Sequence, residues 1–224
     1  MIEMVLSSHN EKKIGELRRI LSAALPEVRL LSLSDIGVRD DIPENGETFE
    51  KNAIIKASVP ASLGYIGIAD DSGLSVDFLG GAPGVRSARY AGDDGTPADC
   101  RRKLLDVMRD VPDGKRGAGF VSVTALCLPE NSEVVIPPEY SIGEDLAARS
   151  GRRRELTLTV RGECRGSITR EERGTGGFGY DVIFLSDDLG ITFGEADAAS
   201  KDRVSHRGRS LSAFSAVLTE IFKC

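Results

Sequence analysis

Two β-rich stretches, GFVSVTALCL at 119–128 and RELTLTVRGEC at 154–164, set the main limit on how this chain folds. The second alternates Leu156, Leu158 and Val160 with polar residues, the period of a half-buried strand. Long strands of this type that follow one another in sequence pair antiparallel. The N-terminal half reads differently, as short apolar runs handing over to amphipathic helices. The chain is therefore expected to be α/β with a mixed β-sheet flanked by helices, and not a regular βαβ succession.

The helical signals are specific. Met4 to Leu6 reads as a strand running into SSHNEKKIGELRRILSAAL, where Ser8 and Glu11 have capping-box spacing and a helix begins around Asn10. Ile14, Leu17, Leu21 and Ala24 share one face of that helix. Val28 to Leu33 reads as a second strand, and Asp35 to Gly46 as a polar loop. Thr48 caps a helix through FEKNAIIKAS that Pro60 ends or kinks. YIGIADDSGLSVDFLGGAPG reads as a strand, a polar break, a second strand and a Gly/Pro turn. Pro97 opens a helix that ends near Val111. Ser205 caps a last helix striped with Leu211, Phe214, Leu218 and Ile221.

Composition narrows the functional classes. With 224 residues, 40% hydrophobic and 29% charged, the chain is ordinary for one globular domain over 1–224 or two closely packed lobes. A net charge of −6 argues against broad binding to nucleic acid, which needs a basic face. No stretch is long and apolar enough for a membrane span, and the N-terminus is unlike a secretory signal, so the expected location is cytoplasmic. Cys100, Cys127, Cys164 and Cys224 are scattered and read as ordinary thiols. The piece from Pro129 to Arg154 is irregular, and its Arg152, Arg153, Arg154 triplet reads as a solvated hairpin tip.

Against that acidic background, KDRVSHRGRS gathers Lys201, Arg203, His206, Arg207 and Arg209 within nine positions. Taken alone, such a run reads as a solvated helix edge. Three further features change the balance. A strand hands over to a helix at Ser7-Ser8, with Asn10 at its start and Lys13 one turn inside, a favourable place for phosphate. Asp70 and Asp71 close an apolar strand, where open α/β sheets place ligands, and alternation puts them on opposite sides. Their hard oxygens suit Mg²⁺. GTGGFGYD then presents Phe178 and Tyr180 beside glycines, with Asp181 as an acceptor for a ring N–H. Phosphate site, metal carboxylates, aromatic shelf and basic cluster together are the parts of a nucleoside triphosphate site.

The same segments, in the same order, resemble the inosine triphosphate pyrophosphatase family. SSHNEKK is similar to its S/T-x-N-x-x-K start, and PENGETFEKNAIIKA to its P-E-x-G-x-T-F-x-x-N-A-x-x-K-A block. IADDSGLSVDFLGGAPGVRSARYAG, GGFGYD and KDRVSHRG resemble three more blocks, so the likeness covers nearly the whole chain. It implies an elongated mixed β-sheet flanked by helices, two lobes with the nucleotide cleft between them, Mg²⁺ as cofactor, a small nucleotide as substrate and a homodimer. It implies that Asn10, Lys13 and Lys56 hold the triphosphate, and that Glu44 and Asp71 bind Mg²⁺. Asp71 would also activate water, with Asp70 as a supporting carboxylate beside it. Phe178 would stack on the purine, Tyr180 and Asp181 would shape its pocket, and Lys201, His206 and Arg207 would complete the phosphate and base contacts. Ser8, Ser72 and Gly179 join the implied substrate contacts.

The chain departs from the family pattern at His9, where a small residue is usual, at Val182, where proline is common, and in the length of 129–154. The expected reaction is cleavage of ITP, dITP or XTP to the monophosphate and pyrophosphate. Two alternatives stand beside it: a Maf-type nucleotide pyrophosphatase, whose S-x-S-P-R-R start is absent here, and a nucleotide-binding protein without turnover.

Overall fold

The computed structural model describes residues 2–137, 140 and 156–222. Six strands, β1 (Ile2–Leu6), β2 (Val28–Ser32), β3 (Ile66–Val76), β4 (Gly117–Cys127), β5 (Thr157–Ile168) and β6 (Phe184–Ser186), form one sheet of order β2-β1-β3-β4-β5-β6. The sheet is mixed, as expected: β1 pairs parallel with β2 and β3, and β5 antiparallel with β6. The two long strands also pair antiparallel. Leu128 N–H donates to Leu156 O at one end of β4 and β5, and Ile168 N–H to Arg116 O at the other.

Five helices accompany the sheet among the described residues: α1 (Glu11–Ala24), α2 (Phe49–Ser62), α3 (Pro97–Val107), α4 (Ala198–Val204) and α5 (His206–Phe222). None is long and apolar enough to cross a membrane. The chain forms two compact units. The first comprises Met1–Asp71, Val123–Arg161 and Ser210–Cys224; the second comprises Ser72–Ser122 and Gly162–Arg209.

The first unit is built on two crossovers. From β1 the chain steps through α1 to β2 on one side, then returns through α2 to β3 on the other side of β1. Right-handed crossovers made in opposite directions put α1 and α2 on opposite faces of the sheet. On the α1 face, Ile14, Leu17 and Leu21 pack with Met4, Leu6 and Ile68, and with Leu211, Phe214 and Leu218 of α5. Each such fully buried side chain contributes about 2 kcal/mol. Ala24, assigned to that face from its spacing, is exposed because the helix ends there, and Leu25 is buried in its place. On the α2 face, β3 presents Gly67, Ala69 and Asp71. A Cβ at Gly67 would stand 2.0 Å from Ala57 O, so glycine is what lets α2 lie directly on the strand.

Three local expectations are corrected. Asn10, not Ser8, caps α1: its Oδ1 accepts from Lys12 N at 3.1 Å and Lys13 N at 3.2 Å, while Ser8 Oγ accepts from Asn10 N. α2 continues two residues beyond Pro60. Finally, 66–76 is one unbroken strand without a polar break, because both aspartates find ammonium partners and need no exposed turn.

The second unit has its own core of Leu74, Val76, Leu104, Met108, Phe120, Ile183, Phe184 and Phe193. Helix α3 stops at Val107, earlier than the sequence reading, and the chain turns at 108–111. Arg116 is buried there and is held by main-chain oxygens of Met108, Ile168 (2.7 Å) and Thr169 (2.9 Å). The 152–154 arginines, most of the irregular 129–154 stretch and Cys224 lie outside the described residues. The other three cysteines are buried thiols.

Candidate active site

In the first unit, α1, α2 with the loop before it, and the middle of β3 bring five charged groups together. Asp70 and Asp71 alternate across the strand, so each faces a different helix. Asp70 Oδ2 lies 3.4 Å from Lys13 Nζ of α1. Asp71 Oδ1 accepts from Lys56 Nζ of α2 at 2.8 Å, and the same ammonium donates to Glu44 Oε1 at 2.9 Å. Both aspartates and Lys56 are buried, while Glu44, on the loop before α2, is about one-third exposed at 32%. Two carboxylates therefore converge on one positive charge at a spot solvent reaches through Glu44.

The electrostatics of that trio follow from burial and contact. Burial works against the Lys56 ammonium, yet Asp71 and Glu44 outweigh it and hold its pKa above the ordinary lysine value. Burial pushes the Asp71 carboxyl upward, more than Lys56 and Lys13 pull it down. A carboxylate with a raised pKa is a stronger base than an exposed one.

Sequence reading passed over Asn52. It sits on the stripe of α2 that carries Phe49, Ala53, Lys56 and Ala57, and it is fully buried. Its Oδ1 accepts from Gly46 N at 2.7 Å, which fastens the loop bearing Glu44 to the helix bearing Lys56. A polar residue in phase with an apolar helical stripe is the signal that marks it.

The second unit collects the remaining residues. The basic run divides sharply: Lys201, His206 and Arg207 are 5%, 4% and 1% exposed, whereas Arg203 and Arg209 lie on the surface. It is no solvated edge. Lys201 Nζ donates to Asp181 Oδ2 at 2.9 Å and stands 4.9 Å from the centre of the Phe178 ring. The Arg207 guanidinium is 5.6 Å from that ring, and its Nη2 donates to Ser72 Oγ at 2.8 Å. His206 stacks on Phe120 at 4.6 Å between ring centres.

The glycine-rich loop places its two aromatics differently. Phe178 is half-buried, with two cations beside it. Tyr180 belongs to the core, its hydroxyl donating to Ser87 O at 2.8 Å. Asp181 Oδ2 also accepts from Phe178 N at 2.7 Å, so this carboxylate fixes the loop as well as Lys201. Gly177 has φ of 69°, and a Cβ there would meet Asp181 Oδ2 at 2.1 Å, so glycine is required on both counts. Arg101 of α3, another residue the sequence did not single out, donates to Gly179 O at 3.0 Å and to Glu172.

Residues 4–144 and 145–217 match the Ham1 family. The chain belongs to the Ham1 family. A Nocardia farcinica protein named dITP/XTP pyrophosphatase is 43% identical over 213 residues, which span 94% of this chain and 92% of that protein. A Bacillus licheniformis protein of the same name is 40% identical over 221 residues, 98% of this chain and 100% of that protein. Among solved structures, a HAM1 protein from Coxiella burnetii superposes with a TM-score of 0.80 at 38% identity, covering 98% of this chain and 100% of that one. The Ham1 fold thus accounts for the mixed sheet, and the family reading made from the five sequence blocks holds.

Proposed function

We propose that this Ham1 protein is a nucleoside triphosphate pyrophosphatase acting on ITP, dITP and XTP with Mg²⁺, giving the monophosphate and pyrophosphate. The observation that carries the reading is the Glu44–Lys56–Asp71 cluster with Lys13 and Asp70 alongside. Relatives 40–43% identical over nearly the whole chain are named dITP/XTP pyrophosphatase, which supports the reading.

Magnesium suits the donor set, since two hard carboxylate oxygens already converge on a cationic nitrogen at 2.8 and 2.9 Å. Glu44 and Asp71 would hold the ion, which when bound neutralises charge on the phosphate oxygens. Asp71, kept basic by burial, takes a proton from water. The water oxygen bonds to the α-phosphorus as the α–β bridging bond breaks, and the electron pair leaves with pyrophosphate. Lys13 and Lys56 stabilise the charge that grows on the leaving group; one such donor contributes about 3 kcal/mol to the transition state.

In the second unit Phe178 offers the purine a face, and Lys201, His206 and Arg207 supply donors. Hypoxanthine and xanthine present an acceptor at O6. Adenine presents an amino donor there, so two donors would face each other in a partly dry site, which is costly.

The test is incubation of the protein and Mg²⁺ with ITP, XTP, GTP, ATP or a pyrimidine triphosphate, with pyrophosphate separated from orthophosphate. Pyrophosphate with IMP or XMP, and little from ATP, is the expected result. Comparable kcat/KM for ATP and ITP, or orthophosphate as product, would sink the reading.

A further inference from the structure

Helix α2 carries a proline in its interior, yet it neither ends nor loses its packing there. In a regular helix the carbonyl of Lys56 accepts the N–H of residue 60. Residue 60 is Pro60, which has no N–H and whose ring pushes the carbonyl four residues back away from the axis. Lys56 is buried, so water does not take the place of the missing donor. Ser7 does: its Oγ donates to Lys56 O at 2.7 Å.

Ser7 is the residue immediately after β1 and is itself 1% exposed. Its main-chain N–H donates to Ile68 O of β3 at 2.7 Å. It shares the α2 face of the sheet with Val5 by alternation. On that face the Pro60 ring lies against Gly67, whose Cβ would stand 2.8 Å from Pro60 Cγ. One residue, through its main chain and its hydroxyl, thus ties together three segments: the turn leading to Asn10 and Lys13, the strand carrying Asp70 and Asp71, and the helix carrying Lys56.

We propose that Ser7 is a positioning residue, paired with Pro60, that supplies the donor the proline removes and so holds Lys56 against Asp71 and Glu44. The proposal rests on the pyrophosphatase reading only where it assigns Lys56 a part in turnover. Replacing Ser7 by alanine leaves the carbonyl buried without a donor, and the helix must shift or bend to find one. Replacing Pro60 by alanine returns the N–H, after which the Ser7 hydroxyl is dispensable.

The experiment compares S7A, P60A, S7A/P60A and S7T with the wild-type protein, reading kcat and KM for ITP with Mg²⁺ and the melting temperature. S7A should lose about tenfold in kcat, because small displacements of a catalytic group are amplified, with KM changed far less. P60A should turn over like the wild-type protein, S7A/P60A should recover to the level of P60A, and S7T should keep activity. S7A with wild-type kcat would overturn the positioning role. A double variant as impaired as S7A would overturn the pairing. If S7A does not fold, S7V and S7T, each with and without P60A, carry the same comparison. A wild-type protein without ITP turnover would overturn the pyrophosphatase reading alone. The pair is then decided by melting temperature, where P60A must recover most of what S7A loses.

Discussion

Lys56 Nζ lies 2.8 Å from Asp71 Oδ1, and both side chains are buried. A buried ion pair is weak evidence for stability, because desolvation offsets much of the attraction. Its use here is orientation: the lysine holds one carboxylate oxygen and the burial keeps that carboxylate basic.

The two adjacent aspartates therefore differ in what their loss does. Asp71→Asn should lower kcat for ITP about 10²- to 10⁴-fold, the range a positioned base contributes. Asp70→Asn, which meets Lys13 on the opposite face of β3, should cost much less in kcat. Steady-state kinetics on the two variants, with circular dichroism to check folding, decides. The reverse order would move the base to Asp70.

Gly67→Ala tests how α2 is seated. The new methyl would meet Ala57 O at 2.0 Å, a main-chain atom that cannot rotate away. The expected cost is about 1 to 3 kcal/mol of stability, as for other overpacked sites. Because α2 carries Lys56, activity should fall together with the urea midpoint. Unchanged unfolding would mean that α2 sits further from β3 than described.

Cys164 offers a pH signature. Burial pushes its thiol from the ordinary 9.0 up to about 11. Below pH 9 the thiol is neutral in both states, and the group contributes its full stability. Between 9 and 11 the unfolded chain releases the proton while the folded chain keeps it, so that contribution is lost as pH rises. Relative to Cys164→Ala, the wild-type protein should lose about 2 to 3 kcal/mol of unfolding free energy over this interval. Equal pH slopes in the two proteins would contradict the buried thiol.

The sequence carried the element types well, for a physical reason. Periodicity marked α1 and β5 because each buries one face, and Thr48 and Ser205 were readable because caps are local chemistry. The failures in β3 and α2 are tertiary. The DDS segment looks like a turn until Lys13 and Lys56 arrive from two helices to neutralise it. Pro60 looks like a helix end until Ser7, 53 positions earlier, supplies the missing donor. Asn52 and Arg101 act on main-chain groups of Gly46 and Gly179, and nothing local announces such partners.

The glycine-rich loop yields the sharpest contrast, because Phe178 and Tyr180 stand two residues apart with different surroundings. Phe178 keeps part of its ring exposed, beside Lys201 and Arg207. Stacking of a base on such a ring is worth about 1 to 3 kcal/mol, so Phe178→Ala should raise KM for ITP about tenfold or more. Its kcat should change little, since the ring touches no reacting atom in the proposed mechanism. Tyr180→Phe removes only the hydroxyl that donates to Ser87 O and leaves that carbonyl without its donor. It should cost about 1 kcal/mol of stability and leave KM near the wild-type value. Kinetics and denaturant unfolding on the two variants separate the roles. If Tyr180→Phe raised KM as Phe178→Ala does, the base would contact the tyrosine, and the assignment of Tyr180 to the core of the second unit would have to be withdrawn.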